Sequence, residues 1–132
     1  MLTQLLKYLL LWTLPFLVSA NFVSWLGNYD LAHQKALKEH KPLLVLVVKK
    51  SDSLSSQIIK KTFMDQDYVD GINSKMVPVI VTYEGALSYP IEMYYTTIFP
   101  TLFFVDSERE LFLHEPLYGE EITQDIVSEI CK

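Results

Sequence analysis

The chain has 132 residues, half of them hydrophobic and a fifth charged, proportions that suit one compact domain with its own core and argue against disorder. Its formal net charge of −5 excludes general electrostatic attachment to nucleic acid or to anionic lipid, because both demand a surplus of Lys and Arg.

From the N-terminus, Lys7 is the only charged side chain before Asp30, and an apolar run from Tyr8 to Val18 leads into Val18-Ser19-Ala20. Roughly 11 apolar residues fit a secretory h-region and fall short of the ~20 that span a bilayer comfortably. Residues 1–20 therefore read as a signal peptide, with an uncleaved membrane anchor as the alternative. Cleavage after Ala20 leaves a single domain over 21–132 and, by removing Lys7 from 11 basic residues against 16 acidic ones, a net charge of −6. A periplasmic or secreted location follows from the first reading, and attachment to the inner membrane from the second.

Tyr29, Ala32, Ala36 and Leu37 recur at helical spacing behind Asn28, a plausible cap, so Tyr29 to His40 is predicted as a helix closed by Lys41-Pro42. Leu43 to Val48 is a continuous apolar run rich in valine, as expected of a strand covered on both faces. Lys49 to Asp52 marks its exit. Leu54, Ile58, Ile59 and Phe63 give an amphipathic helix from Ser53 to Phe63, and Asp65 caps a further turn through Tyr68, Val69 and Ile72.

Val77 to Val81 forms the next strand, with Pro78 near its start, where proline is tolerated. A short helix over Tyr89 to Tyr95 is expected with Pro90 in its first turn. Thr101 to Val105 gives a third strand, Asp106 to Arg109 a turn, and Leu111-Phe112-Leu113 a fourth strand. Ile122, Ile126, Val127 and Ile130 mark the closing helix. The order predicts an α/β domain with a central mixed four-stranded sheet flanked by helices, containing two parallel crossovers and a terminal antiparallel hairpin.

These blocks together resemble the thioredoxin-like superfamily, in particular its exported bacterial branch. Trp25, Tyr29, Ala32 and Ala36 before Lys41-Pro42-Leu43-Leu44-Val45 resemble that branch's first helix and strand. Ile98-Phe99-Pro100-Thr101-Leu102-Phe103 resembles its cis-proline loop and the strand after it, and Gly119 stands before the last helix as in the family. With Phe63 as anchor, the family's two redox cysteines fall at Asp52 and Ser55. The tract Asp52-Ser53-Leu54-Ser55 thus stands where a CxxC motif would.

Thiol-disulfide exchange needs a low-pKa thiolate at an exposed helix start and a second thiol to resolve the mixed disulfide. Asp52 can do neither, but Asp or Ser at this position caps a helix and complements its dipole. Ser53, Ser55 and Ser56 could instead hold an anionic group. No motif places His33, His40 or His114 beside this loop as a base for a serine nucleophile, and no spacing suits a metal. No catalytic residue, metal ligand or cofactor is assigned.

The resemblance implies that the backbone beside Pro100 pairs with an extended partner segment. A protein or peptide partner is therefore expected along Asp52, Ser53 and Ser55 and the Phe99-Pro100-Thr101 loop; of Tyr89, Tyr94, Tyr95 and Phe99 nearby, some must be core and the others can form an aromatic patch. Cys131, the single cysteine, is either a buried or idle thiol on the last helix or the site of a disulfide to another chain. The expected function is a redox-inactive binding module. The alternative is a thiol oxidoreductase working through Cys131 or through a partner's dithiol.

Overall fold

The structure, a computed structural model, describes residues 23, 25–50, 52–63, 66–83 and 89–131, the side chains of 66–68 excepted. The expected signal peptide and Asp65 lie outside these residues.

Asn28 is extended and its side chain accepts a hydrogen bond from the Leu31 N–H, which starts helix α1, Tyr29–Glu39. The helix ends where His40 turns left-handed at φ 55° and returns its N–H to the Ala36 carbonyl, one residue before Lys41-Pro42. Strand β1 follows at once over Leu43–Val48. Asp52 then caps helix α2, Ser53–Thr62, and helix α3 spans Gln66–Lys75.

Strand β2 covers Val77–Thr82, β3 covers Thr101–Val105 and β4 only Leu117–Tyr118. A 3-10 turn over Gly119–Glu121 leads into helix α4, Gln124–Ile130, whose start Thr123 caps. The segment expected as a helix at Tyr89–Tyr95 is instead a turn, in which the Pro90 carbonyl accepts from both the Met93 and Tyr94 N–H groups. Among the described residues no helix is long and apolar enough to cross a membrane.

The sheet is mixed and four-stranded in the order β2-β1-β3-β4. Strands β1 and β2 are parallel, Val45 lying opposite Val79. The second expected parallel crossover is not formed: β3 runs antiparallel to β1, with Leu44 opposite Phe104 and Val47 opposite Thr101. The linker of 18 residues between Thr82 and Thr101 is long enough to return the chain in either sense, so its length did not decide the direction.

The expected hairpin also shifts. Phe112 makes an isolated bridge to Val105, and regular pairing resumes only at Leu117–Tyr118 against Leu102 and Thr101. Glu110 is left-handed at φ 53°, and Pro116 interrupts the chain before β4. Leu111, Phe112 and Leu113 consequently remain exposed.

Alternation along β1 divides the core in two. Leu44 and Leu46, with Leu102 and Phe104 of β3, face α2, α3 and α4 through Ile58, Phe63, Val69, Ile72 and Val127. Leu43, Val45 and Val47, with Val79 and Val81 of β2, face α1 through Tyr29, Ala32 and Ala36. Beyond β2, Leu26 donates to the Pro78 carbonyl at 3.0 Å and accepts from Ile80 at 2.9 Å, which covers that edge. Three layers thus leave one sheet end, where β1 and β2 finish and β3 begins, free for loops.

Candidate functional site

That sheet end is built first by the exit of β1. The Lys49 carbonyl accepts from the Asp52 N–H at 3.1 Å, between the end of β1 at Val48 and the start of α2 at Ser53. One Asp52 carboxylate oxygen then accepts from the Leu54 N–H at 3.1 Å and the other from the Ser55 hydroxyl at 3.2 Å. The capping expected of Asp52 is therefore present, and it satisfies a helix donor that would otherwise lack a partner. Ser53 is exposed, whereas Ser55 is buried and turned inward onto Asp52. Of the four positions, Asp52 and Ser53 meet the surface with polar groups.

The second component enters from the start of β3. The Phe99–Pro100 peptide bond is cis. Thr101 is fully buried, its hydroxyl shared with Thr96 at 2.9 Å and donating to the Ile98 carbonyl. Its side chain is thus occupied in holding the loop and cannot itself touch a partner. The Pro100 carbonyl is held by the Gly119 N–H at 2.8 Å. Gly119 has φ 55°, and a Cβ there would meet Ile98 only at ordinary van der Waals distance, so backbone conformation rather than space requires glycine.

Phe99 is half-buried, Ile98 exposed. The Tyr83 ring, at the end of β2, lies 5.3 Å from the Phe99 ring, and the Lys49 ammonium stands 5.9 Å from the same centroid, within reach of a cation–π contact. Lys49 and Tyr83 were not anticipated in this role. The signal available was positional: each immediately follows a strand of the parallel pair, and such strand ends open on the same side.

The other aromatics nearby in sequence divide between core and surface, as expected. Tyr94 is a core residue, its hydroxyl 2.8 Å from that of Tyr29 and its ring edge-on to Phe103. Burial raises both phenols above their ordinary range. Tyr95 points to solvent, and Tyr89 packs partly against the core with a buried hydroxyl that finds no hydrogen-bond partner. Beside α2 a groove of about 350 Å³ opens between Leu54, Gln57, Lys61, Glu120 and Thr123.

Cys131 lies at the opposite end of the sheet. It lines a hollow with Pro42, Met76 and Phe104, residues at the beginnings of β1 and β2 and the end of β3, and with His114 from the segment before β4. Its Sγ points at the Met76 Sδ at 3.4 Å, and burial pushes the thiol up to about 11, partly offset by Lys75. His33 joins α1 to the turn after β3 through the Ser107 carbonyl at 2.7 Å and the Glu110 carboxylate at 3.4 Å. Among the described residues no three or more His, Cys, Asp or Glu side chains group as a metal site.

No protein-family model matches the chain, and no curated protein matches it. Solved structures do. A protein described as DsbH oxidoreductase superposes with a TM-score of 0.63 at 17% identity, over 86% of this chain and 85% of that one. The solution structure of a thioredoxin from Thermus thermophilus gives a TM-score of 0.63 at 14% identity, over 79% and 82%. Identities this low speak to architecture alone, and on that architecture the chain has the thioredoxin-like fold.

Proposed function

We propose that this chain is an exported, redox-inactive thioredoxin-fold module that binds an extended polypeptide, free or within an envelope assembly, along the Asp52–Ser53 edge and the Phe99-Pro100 loop. The observation that carries the reading is the division between the two sheet ends. The end bearing Asp52, Tyr83 and Phe99 presents accessible aromatic and polar groups on a braced loop, while the only thiol sits at the other end among Met76, Phe104 and Ile130. A braced loop with an exposed rim favours β-type pairing and aromatic contact over chemistry. Export rests on the N-terminal sequence pattern.

Carbamidomethylated insulin B chain, an extended and nearly neutral polypeptide without free thiols, is the probe. Labelled B chain should raise its anisotropy on adding the protein, with binding weakened at least about fivefold by Phe99→Ala and unchanged by Leu37→Ala on α1. Equal binding by both variants defeats the reading.

The oxidoreductase alternative requires a reactive thiolate, and a half-buried thiol pushed up to about 11 is a poor one. Insulin reduction above the background of a Cys131→Ser variant would establish that alternative.

A further inference from the structure

Of the two segments that form the candidate site, the one leaving β1 reverses the charge of the rest of the chain, while the other, 83–101, carries only Glu84 and Glu92 as charged residues. From residue 49 to 63, Lys49, Lys50, Lys60 and Lys61 stand against the single Asp52, a net charge of +3 in a chain whose total is −5. Asp52 directs both carboxylate oxygens at the start of its own helix. All four lysines are exposed. Among the described residues the ion pairs engage His33, Lys35, His40 and Lys41 with Glu39, Glu108 and Glu110, all on α1, just after it, or on the turn after β3. None engages the four lysines of the site segment.

Lys61 shares its groove with Glu120, so Lys49 and Lys50, which leave β1 directly beside the Phe99 loop, are the cations best placed to meet a ligand. The Lys49 ammonium already leans over Phe99, and the positive end of the α2 dipole adds to the same potential.

We infer that the polypeptide taken by this site is acidic: an extended segment that lays an aromatic or aliphatic side chain on the Tyr83–Phe99 pair and sets neighbouring carboxylates against Lys49 and Lys50. The inference rests on the polypeptide-binding reading above and specifies its partner. Charge complementarity of this kind selects and orients partners and is screened by salt. It also runs against the bulk charge, since an acidic protein would otherwise draw cationic chains.

Two labelled random copolymers of equal tyrosine content, poly(Glu,Tyr) and poly(Lys,Tyr), separate these effects when their binding is followed by anisotropy at low and at roughly 0.3 M salt. Poly(Glu,Tyr) should bind more tightly at low salt and release at high salt. Lys49→Glu/Lys50→Glu should weaken it about tenfold or more, whereas Lys35→Glu/Lys38→Glu on α1, the same change in net charge, should alter it less than about twofold. Tighter binding of poly(Lys,Tyr), or an equal loss in both double variants, overturns the inference. If the insulin B chain still binds in a Phe99-dependent way, acidity alone is wrong. If neither B chain nor copolymer binding depends on Phe99, the polypeptide reading falls with it.

Discussion

Asp52 occupies a position where a helix start would stabilise an anion of any kind, and its carboxylate uses that environment structurally. It satisfies the Leu54 N–H and the Ser55 hydroxyl together, so Asp52→Ala should destabilise the domain by about 1 kcal/mol, within the ordinary range for a lost N-cap. Urea unfolding checks this, with a lower midpoint and an unchanged slope. The cap was readable from the sequence because Asp followed by a helical apolar period is a local signal. The inward turn of Ser55 and the full burial of Thr101 were not, since both depend on hydroxyl partners whose geometry only the tertiary structure supplies.

At the same scale, Cys131 should be slow to react. With its thiol pushed up to about 11, the thiolate fraction at pH 8 falls roughly a hundredfold below that of an ordinary cysteine. Iodoacetamide should accordingly alkylate the native chain about a hundred times more slowly than the urea-unfolded chain, read by intact mass over time. Comparable rates would mean that the thiol is open.

At the scale of elements, α2 carries the register on which the comparison with redox thioredoxins depends. Asp52 and Ser55 already touch at 3.2 Å across the first helical turn, so Asp52→Cys/Ser55→Cys should form an intrachain disulfide under mild oxidation. Thiol counting before and after oxidation reads it directly: retention of all three free thiols would contradict the placement.

Other elements differed in how openly the sequence declared them. Strand β1 was plain because Leu43 to Val48 is apolar on both faces, and both faces are covered. The sense of β3 was hidden, because strand direction is set by which neighbour it joins rather than by its own residues. Strand β4 was expected at Leu111-Phe112-Leu113, which has the better strand composition, yet regular pairing forms at Leu117–Tyr118, where the Gly119 N–H bonds to Pro100. A two-residue strand next to a left-handed glycine leaves almost no periodic signal.

For the whole molecule, buried proton donors set an alkaline limit to stability. Cys131, Tyr29 and Tyr94 are all raised by burial, so the unfolded chain loses these protons first. The sign is therefore fixed: the stabilisation is complete below the ordinary values and declines as pH rises through them. The decline should begin near pH 9 for Cys131, continue to about 11, and be joined by the phenols above about 10. Unfolding midpoints measured from pH 7 to 11 should fall only in that upper range, and Cys131→Ser should remove the earliest part of the fall.

The molecule as a whole separates a braced, accessible loop at one end of its sheet from a shielded thiol at the other, which is why binding is the proposed activity. A photoreactive benzoyl-phenylalanine placed at position 99, compared with one at position 37 on α1, tests this in the protein's own setting. Irradiation of cells expressing the chain should give a discrete polypeptide adduct from position 99, insensitive to reductant and retained in Cys131→Ser, with none from position 37. No adduct at 99, or the same adducts from both positions, would contradict a binding edge at Asp52 and Phe99.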